Sequence, residues 1–175
     1  RGGEPGSNGL LLNAEGELVL CQHGDRRMAK MDASVEAPEP KFVTIAETYD
    51  GKRFNSPNDA CYDAKGNLYF TDPPYGLIKN VEDTAKEIPF QGVYMVRNSG
   101  EVVLLVDSLT RPNGIALTPD GKRLIIANSD PLQEGARPIA EPGWPRQWLS
   151  AGARPADAPP EGRQALWSRR ARRAD

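Results

Sequence analysis

The sequence is poor in the residues that carry most enzyme chemistry. It holds one histidine, His23, and two cysteines, Cys21 and Cys61. The cysteines lack metal-type spacing and can pair only if the fold brings them together; otherwise they are two buried thiols. No apolar run approaches the length needed to span a bilayer. No charged and apolar leader opens the chain, and the first residues, RGGEPGSNG, already read as the inside of a domain. A formal net charge of −2 gives no electrostatic footing for nucleic acid. Neither a membrane nor a nucleic acid is therefore expected as a partner. At 175 residues and 38% apolar content, the chain is long enough for one domain with a core.

What is present is a repeat. SNGLLLNAEGELVLCQHG from Ser7, SPNDACYDAKGNLYFTDPPYG from Ser56 and RPNGIALTPDGKRLIIANSD from Arg111 read as copies of one another. Each begins at an Asn (Asn8, Asn58, Asn113), runs through a short apolar stretch and turns on a glycine (Gly16, Gly66, Gly121) at the same distance from that Asn. A second apolar stretch follows. The copies recur about every 50 residues, the period of a stacked supersecondary unit such as a propeller blade. Such a repeat brings its Asn residues together around one axis.

The paired runs read as strands: Gly9 to Leu12 with Glu17 to Cys21, Ala60 to Asp63 with Asn67 to Thr71, and Ile115 to Thr118 with Arg123 to Ala127. Each joint has Gly where a tight hairpin needs positive φ, and Pro119-Asp120-Gly121 is the strongest such signal. Between the copies, Phe42 to Ala46, Gly92 to Val96 and Val102 to Val106 are further strands, the last two joined by Asn98-Ser99-Gly100. With about four strands per unit and almost no helix signal, the body is all-β and favours a propeller over a sandwich or barrel. Strand counting alone does not separate the three.

The text changes near Asp130. From Pro131 onward it is dominated by Pro, Ala, Arg and Gly, with no Lys, Val, Tyr or Phe, and it holds every Trp of the chain (Trp144, Trp148, Trp167). Residues 1–130 are net acidic and 131–175 net basic. Apart from a basic helical turn around Ala165 to Arg172, no strand or helix period runs through this tail. Two readings compete: a natural Pro-rich disordered tail, or a shift of reading frame in GC-rich coding sequence. No function is placed on it. The ordered text covers two to two and a half blades, fewer than the roughly four at which propellers begin to close, so it reads as a fragment.

N55-S-P-N-D59 with L68-Y-F-T-D-P-P-Y-G76, and R111-P-N-G-I-A-L-T-P-D-G-K122, resemble the SMP-30/gluconolactonase/luciferin-regenerating-enzyme family. C21-Q-H-G-D-R-R27 and Y49-D-G-K-R-F-N-S-P-N-D59 resemble its bacterial gluconolactonase branch. The resemblance covers Glu4 to Asp130. It implies a six-bladed β-propeller, here partial, with a divalent cation in its central channel and hydrolysis of sugar lactones. The cation is expected to be Ca²⁺, with Zn²⁺, Mg²⁺ or Mn²⁺ as alternatives. In the family a Glu, two Asn and an Asp hold it; the two Asn map onto Asn58 and Asn113, while the Glu and the Asp fall outside the matching text. The Asp is also the expected catalytic base, so no catalytic residue is assigned, and this chain is expected to be incomplete and inactive. Bacterial relatives are cytoplasmic or periplasmic, and the sequence does not choose between them.

Other residues fill the implied channel. Asn8 lines it or braces a turn. His23 either plays a structural part or binds a substrate hydroxyl or carboxylate at the channel mouth. The Thr71-Asp72-Pro73-Pro74-Tyr75-Gly76 loop is stiffened by its prolines and is expected to present Asp72 and Tyr75 to substrate. Ser129-Asp130 ends the third copy in a similar place. Asp59 is expected to point away and hydrogen-bond structurally, and Arg26 and Arg27 to pair with blade acids. The alternative function is a non-catalytic propeller that binds a small ligand or a protein partner.

Overall fold

In a computed structural model of the chain, the structure describes residues 6–129 and the short strand Gly152–Ala153. Asp130 and the rest of the tail lie outside the described residues. Three antiparallel sheets follow one another as blades of an open, partial propeller. The first is a meander of β1 (Leu10–Leu12), β2 (Leu18–Gln22), β3 (Arg27–Met31) and β4 (Phe42–Ala46). A small hairpin, β5 (Thr48–Tyr49) and β6 (Lys52–Arg53), leads to the second. That sheet is again a meander, of β7 (Ala60–Tyr62), β8 (Leu68–Asp72), β9 (Gln91–Val96) and β10 (Val102–Leu109). The third holds β11 (Pro112–Leu117), β12 (Leu124–Asn128) and β13 (Gly152–Ala153). The all-β blade reading is met, with four strands in each of the first two sheets.

The repeated turns use the chemistry their sequence promises. Asn13 Oδ1 accepts the N–H groups of Glu15 and Glu17 at 3.1 and 2.8 Å, and Asp63 Oδ1 those of Lys65 and Asn67 at 2.8 and 2.9 Å. The side-chain oxygen thereby replaces a main-chain acceptor in the bend. Gly16 and Gly66 follow at φ 78° and 80°, a region costly for any residue with a Cβ.

Three features were not anticipated. β3, reading RMAKM, has no β-branched residue, and it is held as a strand by its pairing with β2 and β4. β5 and β6 turn on Asp50-Gly51, both at positive φ. β13 brings two residues of the tail onto β12, pairing Leu124 with Ala153 and Ile125 with Gly152. Backbone pairing at an open strand edge needs no side-chain pattern, which is why no period announced it.

The core is built around the second sheet, which is covered on both faces. On β8 and β9, Leu68, Phe70, Tyr94 and Val96 face the first sheet, where they meet Val19, Cys21, Met28, Phe54 and Ile88. The intervening Tyr69, Val93 and Met95 face the third sheet and pack with Leu105, Val106, Ile115, Leu124 and Ile126. Strict period-two alternation thus sorts one strand pair into two cores. Phe54, Phe70 and Tyr94 lie with ring centroids 5.0–5.3 Å apart, a contact worth about 0.5–1.5 kcal/mol per pair beyond the area it buries. Cys21 and Cys61 are free; Cys21 lies in the first core and Cys61 packs on the second. Burial raises both thiols, that of Cys61 to about 12, as befits inert packing groups.

Candidate functional site

The three Asn residues begin their blades at the strand ends opposite the glycine turns, and hydrogen bonds link them in series. Gly9 N–H donates to Asn58 O at 2.6 Å, and Asn8 N–H to Cys21 O at 2.9 Å. Asn58 N–H donates to Thr71 O at 2.9 Å, and the Thr71 hydroxyl donates to Asn113 O at 2.6 Å. Thr71 therefore stands between the backbones of Asn58 and Asn113, one hydrogen bond from each. Beside it, Asp59 Oδ2 accepts Ile115 N–H at 3.0 Å and Oδ1 accepts Ala60 N–H at 2.9 Å. Asp59 has the structural role expected of it and ties the second blade to the third. At Gly9 the blades approach so closely that a Cβ would lie 2.8 Å from Asn58 O and 2.9 Å from Asp59 Cα. Only glycine fits there.

The two mapped side chains differ in setting. Asn58 is 5% exposed, yet its amide makes no hydrogen bond among the described residues. The residue is buried, while its amide is not fully enclosed and so keeps access to solvent at the strand end. Asn113 is half-buried; its Nδ2 donates to Ser129 Oγ at 3.0 Å, and its Oδ1 accepts no protein donor among the described residues. Asn8 is exposed.

Asp72 is not where the sequence suggested. It is fully buried; Oδ2 accepts Asn55 N–H and Oδ1 accepts Ser56 N–H, each at 2.7 Å. With both oxygens engaged, it braces a loop and does not reach an open channel. The physical reason is that the second sheet is covered on both faces, so a residue at the end of β8 stays inside whichever way it points. Burial pushes its carboxyl up to about 7, against the lowering by the two N–H donors and by Arg26 and Lys86. Burial also lowers Lys86, whose Nζ donates to Ile88 O.

Tyr75 and His23 flank the same loop, both half-buried. His23 packs along Gly6 and Gly76, and its Nδ1 is buried without a partner. A Cβ at Gly76 would meet Ser56 Cβ at 2.8 Å and His23 O at 2.9 Å, so this glycine joins the His23 turn to the Ser56 loop. Arg26 pairs with an acid, Glu87, at 3.8 Å, and is held mainly by main-chain carbonyls. Buried at φ 59°, it donates to Phe54 O at 2.6 Å and Ala85 O at 2.8 Å. With Arg53 O at 3.4 Å as a third acceptor, carbonyls do more to hold this guanidinium than the partly solvated Glu87 carboxylate does. Arg27 does meet Asp25, at 3.6 Å, and bonds Gln22 and Thr44 besides.

Sequence reasoning passed over Asn55, Ser56 and Thr71 as site-building residues. Their signal was the SPND segment lying opposite TDPPYG, which only strand pairing reveals. Among the described residues no three His, Cys, Asp or Glu side chains converge as a metal group. Two neutral amide oxygens, at Asn58 and Asn113, suit part of the oxygen shell of a hard cation.

A family model described as SMP-30/Gluconolactonase/LRE-like region matches residues 3–134. A gluconolactonase of Zymomonas mobilis is 40% identical over 127 residues, 73% of this chain and 35% of that protein. The chain thus spans about a third of the length of that curated relative. The solved structure of a gluconolactonase from Xanthomonas campestris matches at a TM-score of 0.60 and 30% identity, over 70% of this chain and 40% of that one. A luciferin-regenerating enzyme, 19% identical, shares the fold at a TM-score of 0.52 over 72% of this chain and 40% of its own.

Proposed function

The chain belongs to the SMP-30/gluconolactonase/LRE-like family, and from that membership we propose that the whole protein hydrolyses a lactone at the seam where Thr71 links Asn58 and Asn113. Hydrolysis adds water across the ring ester and releases a hydroxy acid. Asn58 and Asn113 would supply amide oxygens to a divalent cation, Ca²⁺ being the best match to an all-oxygen set. When bound, that cation supplies Lewis acidity to the lactone carbonyl.

This chain's own residues do the positioning. Thr71 and Asp59 hold the two Asn backbones in fixed relation across the blades. His23, Tyr75 and Asn8, each partly open to solvent, are assigned to the hydroxyls of a sugar lactone. Asp72, buried and fully engaged, is left out of that contact set.

The observation that carries the reading is that one residue, Thr71, bonds the backbones of both Asn58 and Asn113, which sets the two mapped residues side by side at equivalent strand starts. Neither amide brings negative charge to offset the desolvation of a dication, so the 175-residue chain alone is expected to be inactive. The test is lactone hydrolysis by the full-length gene product with and without added Ca²⁺. Cation-dependent turnover should be lost in Asn58→Ala and in Asn113→Ala; full activity in both removes the metal assignment.

A further inference from the structure

The segment Asn55 to Asn58 reaches its place by an uninterrupted series of bonds to residues 71–76. Asn55 Nδ2 donates to Asp72 O at 3.1 Å and to Phe90 O at 2.8 Å. Ser56 Oγ donates to Pro73 O at 2.5 Å and accepts Gly76 N–H at 2.8 Å. Asn58 N–H then joins Thr71 O. In the middle of this series two consecutive main-chain N–H groups, those of Asn55 and Ser56, point at one side chain, the Asp72 carboxylate.

Between that bracket and Asn58 stands Pro57, whose ring fixes its own φ and restricts the residue before it. The peptide planes from Ser56 to Asn58 therefore have little freedom of their own. Where Ser56 is pinned, the Asn58 side chain is aimed. A carboxylate is the side chain for this task, because it offers two coplanar acceptors and no donor. An amide in its place would satisfy one N–H and set its own NH₂ against the other.

We propose that Asp72 is the positioning residue that aims the Asn58 amide, acting through the Asn55–Ser56 N–H bracket and the stiff Ser56-Pro57 link, and that it touches neither substrate nor cation. The assignment rests on the reading of Asn58 as a cation ligand. It makes a specific claim: losing the bracket weakens cation binding more than it disturbs the fold.

The fold supplies a matched control. Asp63 brackets Lys65 N–H and Asn67 N–H with one carboxylate oxygen, in the turn at the opposite end of β7 from Asn58. The experiment is calorimetric titration of the metal-free full-length protein with Ca²⁺ alone, for wild type, Asn58→Ala, Asp72→Asn, Ser56→Ala and Asp63→Asn. Circular dichroism and thermal unfolding report the fold of each.

Groups that orient a metal ligand typically change affinity about 10–100-fold when mutated, and Asp72→Asn should weaken Ca²⁺ binding by that order. Ser56→Ala should weaken it several-fold, whereas Asp63→Asn should leave Kd within about twofold even where it lowers the melting temperature. Wild-type Kd in Asp72→Asn, with binding lost in Asn58→Ala, overturns the positioning role and leaves the ligand assignment standing. Should Asp72→Asn fail to fold, wild-type Kd in Ser56→Ala overturns it instead. Equal weakening in Asp63→Asn and Asp72→Asn also overturns it, since any damaged bracket would then do. Unchanged binding in Asn58→Ala, or none in wild type, removes the ligand reading itself and this proposal with it.

Discussion

The two faces of the second sheet are built from alternate residues of the same strands, yet they have different contents. The core against the first sheet is aromatic, where Phe70 and Tyr94 of the second sheet meet Phe54 from the preceding loop, and Arg26, bonded to Phe54 O, is buried beside it. The core toward the third sheet is almost wholly aliphatic: Val93, Met95, Leu105 and Val106 of the second sheet against Ile115, Leu124 and Ile126 of the third, with Tyr69 as its one buried ring. The first interface carries Phe54, from which the chain runs through Asn55 to Asn58. The second carries the cross-links, Thr71 to Asn113 and Asp59 to Ile115, that hold the neighbouring blade in line.

The most direct way to break this contrast is Phe70→Ala on the aromatic face. Removing a fully buried ring should cost about 3–5 kcal/mol in denaturant unfolding of the full-length protein, and the Asn55–Ser56 loop should loosen with it. A loss below about 1 kcal/mol would mean that the aromatic cluster is not the support assigned to it.

The next largest effect concerns pH. Burial lifts Asp72 from the ordinary aspartate range to about 7, so between those values the folded chain holds a proton that the unfolded chain has released. Stability should therefore fall as pH rises through that window and level off above it, by on the order of a few kcal/mol. Melting temperature against pH should show that slope in wild type and lose it in Asp72→Asn. A parallel slope in the variant would remove Asp72 as its source.

The smallest effect sharpens the other face. Thr71→Val keeps the shape of the side chain and deletes the hydroxyl that bonds Asn113 O, which should cost about 0.5–1.5 kcal/mol. Lactonase activity should fall more than stability does, because Asn113 is then free to shift against Asn58. Unchanged turnover would place the cross-link outside the site.

The sequence made the strands legible where apolar runs flank a glycine turn, and β4 was read with its observed limits, Phe42–Ala46. β3 escaped because Met, Ala and Lys carry no strand preference, and the Asp50-Gly51 hairpin because its arms are only two residues long. For the site, the repeat showed that Asn58 and Asn113 start equivalent strands, and the structure brings their backbones to either side of Thr71. The burial of Asp72 was not legible. Alternation tells which face a residue takes, but a strand covered on both faces has no outside. The partners of Arg26 were hidden for a related reason: Phe54 and Ala85 are distant in sequence and offer only carbonyls, which no charge pattern records.

The alternation along β8 has a consequence for how this chain can vary in length. Two cores are written on alternate letters of one word, Leu68 and Phe70 for one and Tyr69 for the other, with Thr71 next on that second side, bonded to Asn113. A single residue inserted inside β8 would exchange the readings, sending a phenylalanine into the aliphatic seam and moving the Thr71 hydroxyl away from Asn113. An insertion at the Ala64-Lys65-Gly66 turn, exposed and beyond both cores, disturbs neither. Length can drift at the turns; within β8 it is fixed by two neighbours at once.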